Sequence, residues 1–351
     1  MLPPDEDISD QYGDEQTESA NIEDLIARFK EHPYYFSDDE EMLIANEDDP
    51  SNLNELESLN HVGIDQILAR NPNYSENRLQ HLMDRQQGDG RRYIIQRNIC
   101  KRPNLSPEML NQCLHWANTP ADIYSDRDTK CSVALANNPN ISPEVVNLIA
   151  KKDRDKPLVQ WAALENQSAD PNTICCALEN LGYNPKACRT ALQHKNADRL
   201  VVRSIIESHP VKEVVSEAFS HPALDMKDVA DWRRSNYPDF AAWGAASRPD
   251  ITPSLADDLN KNGGELARQG LAENPHTPKD LLDSYADGND YEVAVSLADN
   301  PNIGDDRAVK ILDRYHNDHL LCAHLIENGH LSKSVIDRAD KFVSRDDNYM
   351  W

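Results

Sequence analysis

CSVALANNPNISPEVVNLIAKK, residues Cys131 to Lys152, decides the fold. Its first part is apolar and ends in a large-then-small pair, Leu135-Ala136. Asn138-Pro139 then stops the helix, because a residue before proline is pushed out of the helical region and asparagine tolerates turn conformations. Ser142 is an N-cap residue. Pro143 follows at the first helical position, where a missing N–H costs nothing. Ile141 and Val146 have the spacing of a hydrophobic staple across the new N-terminus. The stretch therefore predicts a helix of about two turns, a proline turn and a second helix of about three turns.

The formula recurs along the chain. It returns as GIDQILARNPNYSENRLQHLMDR from Gly63, YIIQRNICKRPNLSPEMLNQCLHWA from Tyr93 and FAAWGAASRPDITPSLADDLNK from Phe240. Later copies are ELARQGLAENPHTPKDLLDSYAD from Glu265, YEVAVSLADNPNIGDDRAVKILDRY from Tyr291 and HLLCAHLIENGHLSKSVIDRADKF from His319. The aligned prolines are Pro72, Pro103, Pro139, Pro222, Pro249, Pro275 and Pro301, with Gln167, Asn196 and Gly329 in that place in three degenerate copies. The steps after Pro139 are 28, 29, 26, 27, 26, 26 and 28 residues, after two longer ones of 31 and 36. Caps recur at Ser75, Ser106, Asp225, Thr252 and Ser332, and large-then-small pairs at Leu68/Ala69, Ile99/Cys100, Leu271/Ala272 and Leu297/Ala298. With an eroded copy at LIANEDDPSNLNELESL, the units number about ten. One such unit cannot bury its apolar face alone, whereas stacked units can.

Leu135 to Val146, Leu271 to Pro278 and Leu297 to Ile303 carry a resemblance to the leucine-rich repeat variant family and, more loosely, to HEAT-like α-solenoids. The resemblance spans roughly residues 63–340 and implies a curved helical stack used as a scaffold. The family's founding type carries a cysteine-rich iron–sulfur segment ahead of its repeats; this sequence has none, so no cluster is implied. The expected fold is all-α: an α-solenoid of about ten short helical hairpins behind an acidic, partly disordered N-terminal arm. The expected divisions are an arm at 1–37 with a short amphipathic helix, a degenerate capping repeat at 38–62, the solenoid at 63–340 and a tip at 341–351.

Charge is divided unevenly. Of 351 residues, 36 are Lys or Arg and 61 Asp or Glu, a net charge of −25. Residues 1–60 hold 19 of the acids against only Arg28 and Lys30, so they carry −17 and leave −8 to the rest. The acidic stretch MLPPDEDISDQYGDEQTESA serves either solubility or contact with a basic surface. Ile22, Leu25, Ile26 and Phe29 fall at helical spacing with Asn21 as cap, followed by the aromatics Tyr34, Tyr35 and Phe36. This part is either a cap packed on the first repeat or a docking peptide. The acidic start MLPPDEDISD is not expected to be a secretory or transit signal, and no run reaches the roughly 18 apolar residues of a membrane span. A cytoplasmic, membrane-free protein is expected, with nucleic acid disfavoured as a partner by the charge.

Motifs for chemistry are absent. Neither GxGxxG, GxxxxGK[ST], GxSxG nor HExxH occurs. The seven cysteines, Cys100, Cys113, Cys131, Cys175, Cys176, Cys188 and Cys322, include no CxxC and read as small buried residues rather than metal ligands. No cofactor, metal or catalytic residue is assigned. His221, His276 and His330 read as solvated turn histidines, and Trp116, Trp161, Trp232 and Trp243 as core. Three basic clusters stand out: Arg91 and Arg92 with Arg97, Lys101 and Arg102; Lys151 and Lys152 with Arg154 and Lys156; and Arg233 with Arg234. Each lies near a helix end, where cations are favourable, or forms a receptor surface for an acidic segment. The C-terminal Trp351 either docks on a partner or folds back. The candidate partner-binding residues are thus Tyr34, Tyr35, Phe36, Arg91, Arg92, Lys151, Lys152, Arg233, Arg234 and Trp351. The expected function is a non-enzymatic scaffold or adaptor for a protein partner. The alternatives are an acidic mimic that occupies a basic groove on a nucleic-acid-binding protein, or a HEAT-like repeat enzyme of glycosylase or lyase type, of which the glycosylase version needs a basic groove of its own.

Overall fold

The computed structural model of the chain describes residues 21–31, 36–85, 91–118, 127–208 and 211–346. Among the described residues the fold is all-α, with no strand. The chain divides into two compact units, Met1–Ile149 and Ala150–Trp351. The first holds α1 (Ile22–Glu31), α2 (Asp38–Asn46), α3 (Pro50–Ser58), α4 (Val62–Leu68), α5 (Glu76–Arg85), α6 (Arg91–Cys100), α7 (Pro107–Asn118) and α8 (Arg127–Ala136). Helix α9 (Pro143–Lys152) carries the boundary. The second unit holds α10 (Pro157–Glu165), α11 (Pro171–Asn180), α12 (Pro185–Gln193), α13 (Arg199–Glu207), α14 (Lys212–Ser220), α15 (Met226–Ala230) and α16 (Pro238–Ala246), with a 3-10 turn at Trp232–Arg234. It continues with α17 (Pro253–Asn262), α18 (Gly264–Glu273), α19 (Lys279–Asp287), α20 (Tyr291–Ala298), α21 (Asp305–Tyr315), α22 (His319–Glu327) and α23 (Lys333–Asp346).

Alternate helices pack side by side. In the first unit α2 lies on α4, α4 on α6 and α6 on α8. In the second, the even-numbered helices from α10 to α22 each pack on the next. Among the odd-numbered ones, α11 lies on α13, α19 on α21 and α21 on α23. The large-then-small pairs are buried as their spacing predicts: Leu68/Ala69, Ile99/Cys100, Leu135/Ala136, Leu271/Ala272 and Leu297/Ala298 are all without exposure. The predicted caps Ser106, Asp225 and Thr252 accept the backbone N–H three residues on, at 3.1, 2.9 and 3.3 Å. In α1, Ile22, Leu25, Ile26 and Phe29 are buried. The α1 N-terminus is capped by Asn21, which accepts from Asp24 N at 2.9 Å. Phe29 stacks on Phe36 at 5.2 Å and meets His61 edge-on.

The residue that ends each first helix does more than turn the chain. Asn300 donates from Nδ2 to Ala272 O at 2.6 Å and Asn274 O at 3.0 Å, in the preceding helical pair, while its Oδ1 accepts from Asn302 N at 2.7 Å. Asn274 does the same to Ala246 O and Arg248 O, both at 2.7 Å. Asn328 does it to Ala298 O and Asn300 O. In the first unit Asn138 donates to Cys100 O and Arg102 O, and Asn71 to Ile44 O and Glu47 O. The last carbonyls of a helix have no intrahelical donor; in this chain the next pair supplies one.

Chemically different residues take the same place. Arg102 donates to Pro72 O and Tyr74 O, and Arg248 to His221 O at 2.6 Å while its other nitrogens grip Asp250. His194 bonds Asn166 O through Nε2 at 2.9 Å, and His221 bonds Leu192 O at 3.0 Å. These rungs correct the alignment around the degenerate copies. The rung is His194, so Lys195 and not Asn196 occupies the proline place, and the steps there are 28 and 27 residues. His221 is likewise a rung and not a solvated turn residue, whereas His276 and His330 are exposed.

The tautomer of His221 follows from its partners. Nδ1 accepts from Ala223 N at 3.2 Å, so the proton sits on Nε2 and the ring is neutral. Burial holds its pKa below the ordinary value, the bond to Leu192 opposing and Arg248 reinforcing that shift. The unfolded chain therefore takes up this proton first as pH falls. The stability due to the neutral ring is complete above about pH 6.5 and is lost as pH drops through and below it. Denaturation midpoints measured between pH 7.5 and 5.5 should fall more steeply for the native chain than for His221→Asn, which keeps the donor and has no titration.

Candidate functional site

Each first helix presents one side to solvent, and the rung fixes which residues lie on it. Three and seven residues before a rung the side chains are buried; eight, five and one residue before it they are not. The column five before the rung reads Gln66, Arg97 and Val133 in the first unit. In the second it reads Trp161, Arg189, Ser216, Trp243, Gln269, Val295 and Ala323. None of these is buried. Trp243 therefore stands on the solvent face and not in the core, and Trp161, on the same side of its helix, is half-buried against the core's edge; Trp116, in α7, is half-buried, and Trp232 alone of the four is buried, at 3% exposure. The cause is the register: both tryptophans fall on the one helical side that has no neighbouring helix to cover it.

In the second unit this face is a row of partnered side chains. Lys186 lies over the Trp161 ring at 4.8 Å. Arg189 pairs with Glu217 at 2.8 Å. Lys212 lies over Phe240 at 5.0 Å, and Phe240 meets Trp243 edge-on at 6.3 Å. Leu158 at 67% exposure and Leu320 at 56% add apolar surface eight residues before their rungs, and Trp243 is 37% exposed. The column just before the rung is acidic, with Glu165, Glu273, Asp299 and Glu327. Burial and the Asp299 carboxylate raise the Glu273 pKa, and Asp299 pairs with His324 at 2.7 Å.

In the first unit the same columns line a cleft of about 710 Å³. Phe36, Val62, Ile67 and Ile94 form its apolar wall, and Gln66, Asn98, Arg70, Arg97 and Lys101 its polar one. Arg70 pairs with Glu41 at 2.8 Å.

The residues singled out in the sequence are dispersed. Tyr34, Tyr35, Trp351 and the side chain of Arg91 lie outside the described residues. Phe36 borders the cleft, while Arg92 is exposed. Arg97 and Lys101 line the cleft, but Arg102 turns inward as a rung. Lys151 and Lys152 are exposed at the end of α9, and Lys152 stands 3.8 Å from Asp153. Arg233 pairs with Asp258 at 2.6 Å and lies over the Trp232 ring, and Arg234 pairs with Asp231. Arg70, the residue that completes the cleft's basic side, was not in any sequence cluster, because 27 residues separate it from Arg97.

Five of the cysteines are buried and two half-buried, all as free thiols. Burial pushes the Cys100 thiol up, reinforced by the adjoining thiols of Cys113 and Cys131. Among the described residues no group of three or more His, Cys, Asp or Glu side chains is placed to hold a metal ion, and no helix is long and apolar enough to cross a membrane. No family model, curated protein or solved structure matches the chain. The resemblance to leucine-rich repeat variant and HEAT-like proteins rests on the quoted residues alone.

Proposed function

We propose that the helical pairs stack as an α-solenoid of about ten repeats, and that the chain is a non-enzymatic scaffold that binds a protein partner through the solvent face of its first helices. One observation carries the reading: in the second unit that face holds Trp161, Trp243, Leu158 and Leu320 in columns set by the rungs. Partly exposed tryptophans on a rigid backbone are the residue type that dominates protein interfaces, and a repeated face is how stacked helical repeats engage partners. Full-length chain and a Trp161→Ser/Trp243→Ser variant should be compared as baits in an extract of the native host. The double variant should lose at least tenfold of a specific captured protein while keeping the helical circular dichroism of the native chain. Undiminished capture, or saturable turnover of a substrate, would remove the reading.

The acidic mimic is the second reading, supported by the −17 of residues 1–60 and by the Glu165, Glu273, Asp299 and Glu327 column. It differs in its salt response: binding by charge weakens steeply between low and physiological ionic strength, whereas binding through tryptophans does not.

A further inference from the structure

The cleft of the first unit combines three features that the scaffold reading does not use. First, it is cationic in a chain rich in carboxylates. Among the described residues Arg97 and Lys101 have no carboxylate partner, although the chain has 61 acids to 36 bases. Arg97 Nε and Arg70 Nε are buried with no hydrogen-bond partner. Second, the cations crowd one another. Lys101, the first residue past the C-terminus of α6, lies four residues after Arg97, a spacing at which like charges face one another unfavourably. Burial, Arg97 and Arg70 together lower the pKa of Lys101. Third, the cleft is shaped. Its roughly 710 Å³ lies within the range of small-molecule sites. Gly63 keeps part of it open: a Cβ there would meet the His61 ring at 3.2 Å and the Phe36 ring at 3.6 Å.

We propose that this cleft binds a small organic phosphate monoester carrying a flat apolar group. Arg70, Arg97 and Lys101, less the Glu41 carboxylate paired with Arg70, leave two positive charges. A phosphate monoester near neutral pH brings between one and a half and two negative charges and three acceptor oxygens. Guanidinium groups match that geometry in paired hydrogen bonds. The apolar group lies against Phe36, Val62 and Ile94, which a bare inorganic anion would leave in contact with water. A cleft of this volume suits a free small molecule, and it is for that source that the site is assigned.

The test is calorimetric titration of the full chain with phenyl phosphate, with phenol and inorganic phosphate as controls. Phenyl phosphate should bind at least tenfold more tightly than inorganic phosphate, and phenol should give no heat of binding. Arg97→Gln and Lys101→Gln should each weaken phenyl phosphate at least tenfold. Both variants, freed of like-charge repulsion, should melt at or above the native temperature without ligand, which separates loss of the site from loss of the fold. A phosphotyrosine peptide should bind no better than phenyl phosphate. Equal binding of phenyl phosphate and inorganic phosphate, unchanged binding by the glutamine variants, no binding at all, or at least tenfold tighter binding of the peptide would each overturn the assignment. None of these outcomes depends on the tryptophan face of the second unit, so this proposal and the scaffold reading fail independently.

Discussion

Asn300→Ala should destabilise the protein by about 3 kcal/mol. The Nδ2 group of Asn300 is the donor for Ala272 O and Asn274 O, and its Oδ1 accepts the backbone N–H of Asn302. Asn300 is fully buried. Truncation therefore leaves the helix-terminal carbonyl of Ala272 without a donor and the Asn302 N–H without its side-chain acceptor, and stranded groups cost more than a bond itself is worth. Urea unfolding followed by circular dichroism measures the effect. Unfolding of a chain with two compact units departs from two states, so the shift is best read in the transition of the second unit. Two further substitutions separate the chemistry from the shape. Asn300→His should lose less than Asn300→Ala, because His194 and His221 already serve as rungs in this chain. Asn300→Asp should be the most harmful of the three, since it sets a carboxylate against two carbonyl oxygens in the interior. Equal stability of the alanine and native chains would mean that the rungs are incidental.

Gly244→Ala should cost about 3 kcal/mol, against a helix propensity that favours alanine by about 1 kcal/mol. Gly244 lies in α16 where it crosses α14, and a Cβ there would stand 2.2 Å from Ser216 O and 3.0 Å from Phe219 Cβ. The obstacle is backbone, so the two helices must separate, and Ala241, Ala245 and Ala218, all without exposure, lose their contacts with the shift. Gly270 provides the control. A Cβ there would meet the Trp243 ring at 2.7 Å, but that ring is partly exposed and can swing aside. Gly270→Ala should therefore melt within a few degrees of the native chain while Gly244→Ala melts well below it. A Gly244→Ala variant more stable than the native chain would show that propensity outweighs the close approach.

The candidate sites were only partly legible from residues. Arg97, Lys101 and Phe36 were marked by clustering and aromatic content, yet Arg70 belongs to the same cleft from 27 residues away. Arg102, next to Lys101, points the other way as a buried rung. Neighbours in sequence near a helix end diverge in space, whereas residues one repeat apart converge. A charge cluster read along the chain therefore mixes two environments. The tryptophans failed for a related reason: a large aromatic residue on an amphipathic helix reads as core until it is known which side of that helix has a neighbour.

By itself the sequence determined the local architecture: short helix, proline turn, capped second helix, and the buried pairs three and two residues before each rung. Those features depend on contacts within about eight residues and on rules of backbone geometry that hold wherever the segment lies. The tertiary structure alone decided what joins one helical pair to the next. Asparagine, histidine and arginine share no size or charge, but each brings a side-chain N–H to a carbonyl 27 to 29 residues earlier. That equivalence is one of position and donor direction. It becomes visible only when successive pairs lie side by side, and it is what fixes which side of every first helix meets the solvent.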